Sequence, residues 1–222
     1  ALATAGIGPG DRVVSSLPLC PAAIVVPLAV QRIGAVSVEI PRDLSAAARV
    51  RAIEASHPRA FFYGRGERVA YVHGVSVVGA VGEVGVDADL HIDENGLAAD
   101  DDGPSMDVDV DRDEDTLVLF TSGSTGAPVG VRLSSRNLAA NARAIAASLG
   151  LDQSDHAMCV LPLSYAYGRS IVHSHLVVGA SVFLDGRFAY PRVVMDALVD
   201  ERCTSFSGVP MTFELLRRRV DV

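Results

Sequence analysis

Hydrophobic and polar positions along the first third of the chain group into short apolar runs separated by amphipathic stretches. The pattern predicts alternating elements, with strands at residues 12–17, 35–40, 60–63 and 75–78 and helices at 21–33 and 45–56. Gly34 is expected to end the first helix, and Ser45 or Asp43 to cap the second. Strand–helix–strand order favours parallel pairing with right-handed crossovers. The predicted fold class is therefore α/β, with mostly parallel sheets and flanking helices.

Residues 82–115 interrupt this pattern, since they hold about half of the chain's acidic residues and show little periodicity. We interpret them as an acidic linker or surface excursion between an N-terminal βαβ subdomain (1–81) and a second α/β subdomain (116–222). The alternate aspartates from Asp107 to Asp113 suggest a calcium loop. However, Arg112 stands where an EF-hand needs glycine and Val118 where it needs the closing glutamate, so a solvated acidic loop is favoured.

Alternation of apolar runs and amphipathic stretches resumes after residue 116. Ser134 or Ser135 is expected to cap a helix that Gly150 ends. The other predicted elements are strands at 117–120, 129–133, 157–161, 180–184 and 204–208, and helices at about 168–178, at 191–201 and from Met211. This order again predicts parallel strands covered by helices.

Composition narrows the function classes. The 222 residues have a net charge of −8 and a sequence pI of about 5.1, which argues against nucleic acid or an anionic membrane as partner. All 19 basic residues are arginine, so lysine chemistry is excluded. The apolar run 17–30 contains three prolines and is too short to span a bilayer. Three dispersed cysteines and the lack of a signal-peptide pattern at the N-terminus predict a cytoplasmic protein.

One loop carries the clearest chemical signal. The predicted strand Leu117–Phe120 is followed by Thr121–Gly126, an unbroken run of threonine, serine and glycine. Such a run lets backbone N–H groups and hydroxyls converge on an anion such as a polyphosphate. It is not a Walker loop, because no lysine follows the glycine and a strand comes next, and it lacks the dinucleotide-binding spacing. The alternative is a hairpin turn without a ligand.

The run Thr121–Val131 resembles the signature phosphate loop of the adenylate-forming superfamily of acyl-CoA synthetases, peptide-synthetase adenylation domains and luciferases. Further segments of the chain match the same family: Gly8–Val13, Arg32–Val36, Leu161–Gly168 and Gly208–Pro210. The resemblance covers all of the chain but only part of the family's length. It implies a carboxylate-activating ligase that forms an acyl-adenylate from a small carboxylic acid and ATP with Mg²⁺. The acyl group would then pass to a thiol of CoA or of a phosphopantetheine carrier protein.

The resemblance also implies roles for residues. The ATP phosphates would be held by Thr121, Ser122, Gly123, Ser124, Thr125 and Gly126. The carboxylate pocket would be lined by Tyr165, Tyr167, Gly168, Gly208, Val209 and Pro210. No catalytic or metal-binding residue is assigned within the chain, because the family's adenine and magnesium segment and its lysine-bearing small domain have no counterpart here.

The chain departs from the family at two matched positions. Val129 stands where the phosphate loop carries lysine, and Ser164-Tyr165 replaces an aromatic–histidine pair. Because the family's later segments have no counterpart here, we expect this chain alone to be inactive although the parent family is enzymatic. The alternative hypothesis is a non-catalytic, degenerate nucleotide-binding or protein-interaction module. A mean hydropathy of +0.30 predicts apolar surface that a homo-oligomer covers.

Two other motifs have simpler interpretations. His173 and His175 form an H-x-H pair, but on the predicted helix their side chains diverge, which argues against zinc. Arg217–Arg219 is interpreted as the solvated end of the last helix, with phosphate or CoA contact as the alternative.

Overall fold

The computed structural model describes residues 2–64, 77–82, 85–87, 113–121 and 129–219. They divide into two compact units, one made of residues 2–18 and 22–135 and the other of residues 19–21 and 136–219. The strands and helices of the first unit are β1 Arg12–Ser16, α1 Ala22–Arg32, β2 Val36–Glu39, α2 Ala46–Ser56, β3 Ala60–Gly64, β4 Val77–Gly82, β5 Gly85–Asp87, β6 Asp115–Thr121 and β7 Val129–Ser134.

The first unit is built on a seven-stranded sheet in the order β5-β4-β3-β1-β2-β6-β7. The five central strands, β4, β3, β1, β2 and β6, pair in parallel. The two edge strands, β5 and β7, are antiparallel to their neighbours. Two core clusters cover its faces, because neighbouring residues of a strand point to opposite sides. Val13 and Phe62 pack with α1, whereas Val14 and Phe61 pack with Ile53 of α2. This confirms the predicted α/β class.

A buried carboxylate lies inside this sheet. Glu39 is only 3% exposed and accepts hydrogen bonds from the hydroxyls of Ser15, at 2.8 Å, and Ser37, at 2.9 Å. Ser15 lies on the neighbouring strand β1, and Ser37 lies two residues before Glu39 on β2. Sheet pairing therefore brings the three side chains together. Buried charges are tolerated only when hydrogen-bonded in this way.

The second unit contains a three-stranded parallel sheet in the order β10-β8-β9. Its elements are α3 Ser135–Leu149, β8 His156–Cys159, α4 Ala166–Leu176, β9 Ser181–Leu184, α5 Pro191–Asp200, β10 Ser205–Ser207 and α6 Pro210–Arg219. Met158, Val160 and Val194 form a fully buried cluster, and Phe206 packs against it. In this unit a helix connects each strand to the next, α4 between β8 and β9 and α5 between β9 and β10, as predicted.

Most predicted elements are present within two or three residues of their expected ends. Ser45 caps α2 by accepting from the Ala48 N–H at 3.3 Å, and Gly34 adopts a φ of +73° after α1. The predicted 82–115 excursion contains the short strand β5, and its residues 88–112 lie outside the described part. Strand pairing groups residues 115–134 with the first sheet, so the predicted division at 82 and 116 differs from the two compact units. None of the described helices is long and apolar enough to cross a membrane.

Candidate functional site

The candidate phosphate loop joins two paired strands of the first sheet. β6 ends at Thr121 and β7 begins at Val129, and these two residues are register partners. The Thr121 hydroxyl donates a hydrogen bond to the Val129 carbonyl oxygen at 3.3 Å. The predicted phosphate-binding residues 122–126 lie outside the described part of the chain, so their contacts remain predictions. What the structure provides is both ends of the loop, held together at the carboxyl end of β6.

The β6–β7 hairpin depends on close contact at Gly130. A Cβ atom there would lie 2.9 Å from Cγ1 of Val118, which belongs to β6. Because the side chain of valine is stiff at χ1, little room can be made by rotation. Leu117, fully buried, and Leu119, 6% exposed, anchor β6 to the sheet. The strand that leads into the loop is therefore part of the buried core.

The position of the family's loop lysine is open to solvent here. The Val129 side chain is 54% exposed and Val131, on the same face of β7, is 44% exposed. The one cationic side chain of β7, Arg132, pairs with Asp115, with Nε and Oδ2 2.5 Å apart. The described end of the loop therefore presents an exposed apolar side chain at the position where the family resemblance places a lysine.

The predicted pocket residues gather at one edge of the second unit's sheet. Tyr165 precedes α4, and Tyr167 and Gly168 form its first turn, all shortly after β8. Gly208–Pro210 follows β10, the parallel neighbour of β8. The carboxyl ends of parallel strands are the usual place for ligands in α/β sheets. Tyr165, Tyr167 and Val209 are 36%, 46% and 39% exposed, so this edge offers side chains to a ligand.

Gly168 allows α4 to press against the loop that follows β8. A Cβ atom at Gly168 would lie 2.4 Å from the Pro162 carbonyl oxygen and 2.9 Å from that of Leu161. The buried side chain of Arg169 reinforces the contact, because its Nε donates to the Leu163 carbonyl oxygen at 3.0 Å. Together the two residues fix the turn that carries Tyr165.

A second clamp holds the segment after β10. The buried Thr212 accepts a hydrogen bond from the Val209 N–H at 3.1 Å, which satisfies a free donor at the start of α6. A Cβ atom at Gly208 would lie 2.6 Å from Cγ2 of Thr212. Glycine at this position therefore lets the threonine reach its partner.

Sequence reasoning missed the residues that follow β9 at the same edge. The Asp185 side chain is almost fully buried and accepts from the Arg187 N–H at 2.8 Å, Nε at 3.0 Å and Nη2 at 2.6 Å. The hydrogen bonds from Arg187 lower the pKa of Asp185. The Asp-Gly-Arg sequence directly after an apolar strand was the signal available. This ion pair fixes the third loop of the carboxyl edge.

The H-x-H pair lies on α4, as predicted, and its two members have different environments. His175 is buried, with Nδ1 2.8 Å from the Ile171 carbonyl oxygen and Nε2 3.4 Å from the Ser205 hydroxyl. Burial, together with the positive charge of Arg169, lowers the pKa of His173 to about 4. The contacts of His175 are structural and lie within the second unit.

We expect His173 to make the protein less stable in mild acid. Its folded pKa of about 4 lies below the unfolded value of 6.5, so between these values only the unfolded chain binds the proton. Stability is therefore lost as the pH falls from 6.5 towards 4. Urea unfolding at pH 7 and pH 5 should show that His173→Gln reduces the pH-dependent loss by about 1–2 kcal/mol.

Gln153→Asn provides the control, because it changes an exposed side chain of the same unit that carries no titratable group. It should leave the difference between pH 7 and pH 5 as in the unaltered protein. An equal loss in the unaltered and His173→Gln proteins would contradict the assignment of this pH dependence to His173.

The arginine run at the end of α6 is paired with an acidic residue of the same helix. Arg217 and Arg218 both donate to the Glu214 carboxylate, with distances from 2.7 to 3.1 Å. The side chains of Arg217 and Arg218 are 73% and 67% exposed, and that of Glu214 is 36% exposed. The predicted solvated helix end is therefore confirmed.

Comparison with known proteins places these features in a family. The family model described as "AMP-binding enzyme" matches residues 1–221. The feruloyl-CoA synthase of an Amycolatopsis species is 30% identical over 218 residues, covering 97% of this chain and 42% of the relative. The medium-chain fatty-acid–CoA ligase of Escherichia coli is 30% identical over 226 residues, covering 95% of this chain and 39% of the relative.

Solved structures agree on the fold. A long-chain-fatty-acid–CoA ligase from Archaeoglobus fulgidus superposes with a TM-score of 0.81 at 20% identity, and covers 98% of this chain and 43% of that one. ATP-bound MatB from Rhodopseudomonas palustris gives 0.79 at 24%, with 97% and 42% covered. The chain thus spans about two fifths of the length of these relatives. Because the family model matches nearly every residue, the chain belongs to the AMP-binding family of adenylate-forming enzymes.

Proposed function

We propose that this chain carries the phosphate-loop part of an enzyme that activates a small carboxylic acid with MgATP. The reaction joins the carboxylate to the ATP α-phosphorus and releases pyrophosphate, giving an acyl-adenylate. A thiol, of CoA or of a carrier protein's phosphopantetheine, then displaces AMP. The observation that carries the proposal is the family match over residues 1–221, which includes the loop between β6 and β7.

The donor set of the loop fits the phosphates of ATP. Residues 121–126 supply hydroxyls and backbone N–H groups but no carboxylate, so they suit anionic oxygens and not a metal ion directly. Such donors would hold the leaving pyrophosphate and spread its charge. In the described arrangement the Thr121 hydroxyl proton is engaged with the Val129 carbonyl oxygen. It would have to rotate before it could donate to a phosphate.

The carboxyl edge of the second unit's sheet supports the proposed acyl pocket. Tyr165, Tyr167 and Val209 expose mixed polar and apolar surface there, on loops fixed by Gly168 and Thr212. These residues would line the wall against which the substrate carboxylate is placed. A fixed wall of this kind reduces the entropic cost of orienting the acid.

The direct test compares this chain with the continuous reading frame that contains it. We expect no steady pyrophosphate release from this chain with MgATP and a panel of aromatic and aliphatic acids. The protein encoded by a longer frame that adds the remaining family segments should release pyrophosphate and form a thioester with CoA or a carrier protein. Steady turnover by this chain alone would overturn the expectation of inactivity. Absence of turnover in a complete frame would overturn the enzymatic proposal.

Restoring the loop lysine should strengthen nucleotide binding. Val129 is exposed beside the loop, so Val129→Lys adds a positive charge facing the phosphates without disturbing the core. Isothermal titration with MgATP should show an affinity gain of about five- to tenfold, the size of one charge-assisted contact.

Val131→Lys is the control, because it adds the same charge to the same face of β7 but two residues further from the loop. It should raise the MgATP affinity by less than about twofold, since an exposed charge at that distance is screened. Equal gains in the two variants would show that general electrostatic attraction, and not the loop position, is responsible.

A non-catalytic nucleotide-binding or interaction module is the second candidate function. Val129 and the complete lack of lysine favour it, because they remove charge from the phosphate site. It predicts that the complete reading frame binds MgATP or a partner protein but forms no thioester.

We further propose a homo-oligomer in the cytoplasm. Tyr190 and Val199, each 69% exposed, and Met211, 65% exposed, provide apolar surface on the second unit. The thiols Cys20, Cys159 and Cys203 are free, as suits a reducing compartment. Light scattering that gives a clean monomer would contradict the proposed assembly.

A further inference from the structure

A polar pocket opens at the amino-terminal edge of the first sheet, and neither the phosphate loop nor the acyl site accounts for it. Its volume is about 260 Å³. It is lined by Gly10, Asp11, Arg12, His57, Pro58 and Arg59. In this parallel sheet, β1 and β6 run in the same direction through β2. The pocket at the start of β1 therefore lies at the edge opposite Thr121.

Strand pairing holds the two arginines of the pocket side by side. Val13 of β1 is the register partner of Ala60 of β3, which makes Arg12 and Arg59 neighbours one residue earlier. The Arg59 N–H donates to the Arg12 carbonyl oxygen at 2.7 Å and extends the ladder. His57 turns the chain into the pocket with a left-handed φ of 46°, which is uncommon for a residue other than glycine.

The charges of this pocket are not balanced. Among the described residues, no acidic side chain forms an ion pair with either Arg12 or Arg59. The carboxylate of Asp11 accepts a hydrogen bond from the Gly8 N–H at 2.9 Å and so stabilises the turn formed by residues 8–11. Like charges at neighbouring positions of paired strands repel each other. An anion between the two guanidinium groups would remove that repulsion.

The hydrogen-bonding geometry also favours an anion. Arg12 is oriented by one bond, from Nη1 to the Ser56 carbonyl oxygen at the end of α2, at 3.2 Å. That bond uses a single N–H of a guanidinium group, which has five. It accounts for the position of Arg12, and within the described part of the chain neither arginine side chain makes a further hydrogen bond. Two guanidinium forks and an imidazole match the oxygens of a phosphate group.

We propose that this pocket binds the phosphate group of a small phosphomonoester or free inorganic phosphate, independently of the ATP site. The cavity is larger than a phosphate ion, which leaves space for a small organic substituent. Arg12 and Arg59 would each donate to phosphate oxygens, and His57 would contribute a further N–H. Since the pocket belongs to the first unit alone, binding requires neither the acyl pocket nor a complete enzyme.

The test is an NMR titration of the ¹⁵N-labelled chain. Inorganic phosphate and glycerol 3-phosphate are added separately, with sodium chloride at matched ionic strength and glycerol as references. We expect saturable shifts of the amides of residues 10–12 and 57–59 and of the His57 ring with the two phosphates, and none with the references. Tighter binding of glycerol 3-phosphate identifies a phosphomonoester, and equal or tighter binding of inorganic phosphate identifies the free ion.

The variant Arg59→Gln should weaken phosphate binding at this pocket at least about fivefold, because it removes one charged fork. The matched control is Arg51→Gln, an exposed arginine of α2 that does not line the pocket, which should bind as the unaltered chain does. The spectrum of each variant reports whether it is folded. Shifts that do not saturate, that chloride reproduces, or that survive Arg59→Gln unchanged would overturn the proposal.

Discussion

Replacing Gly168 by alanine is expected to destabilise the second unit by about 2 kcal/mol. In an ordinary helix the same change would stabilise by up to about 1 kcal/mol, because glycine is a poor helix former. Here the added Cβ would lie 2.4 Å from the Pro162 carbonyl oxygen and 2.9 Å from that of Leu161. Both are backbone atoms that no rotamer change can move. The steric term therefore exceeds the propensity gain, and the sign of the effect reverses.

Urea unfolding followed by circular dichroism measures this change, and hydrogen exchange assigns it to the second unit. Gly186→Ala is the matched control in the same unit, because its Cβ would meet only Leu19 at an ordinary 3.8 Å. That variant should stay within about 0.5 kcal/mol of the unaltered protein. A stabilised Gly168→Ala protein would mean that α4 does not press against the loop after β8. The turn that carries Tyr165 would then not be fixed as described.

Replacing Leu117 by alanine is expected to lower the free energy of unfolding of the first unit by about 3 kcal/mol. Leu117 is fully buried in β6, between its register partners Ser37 of β2 and Leu133 of β7. Truncation removes apolar contact and leaves a cavity in a strand that is held from both sides. Because β6 carries the candidate phosphate loop, any thermal stabilisation by MgATP should also diminish.

Leu28→Ala is the control for this prediction, since Leu28 belongs to the same unit, lies on α1 and is 43% exposed. The same chemical change there should cost less than about 1 kcal/mol, because little apolar surface is removed from the core. Similar losses in the two variants would contradict the assignment of Leu117 to the buried core of the sheet.

Much of the secondary structure could be predicted because its signals are local. The pair Val13-Val14, the glycine after α1 and the serine before α2 each act through their own backbone neighbourhood. The same holds for the helical placement of His173 and His175. The short strand β5 escaped prediction, because three residues carry no periodicity and only its antiparallel pairing with β4 defines it.

The candidate site was predicted unevenly for the same physical reason. The loop 121–126 and the segments at 165–168 and 208–210 are contiguous motifs, so a reader of the sequence can find them. Asp185 and Arg187 acquire their role only because β9 pairs with β8 and ends at the same edge. The phosphate contacts of residues 122–126 remain a prediction from sequence.

The sequence by itself determined the family and, apart from β5, the order of strands and helices, since these signals lie in adjacent residues. The phosphate-binding role of the loop remains a prediction. Only the tertiary structure decided that β6 pairs with β2, and so placed residues 115–134 in the first unit. Glu39 beside Ser15, Arg169 against Leu163 and Arg12 beside Arg59 were decided in the same way. Such contacts join residues far apart or on different elements. Tertiary packing determines these contacts, and no local sequence pattern indicates them.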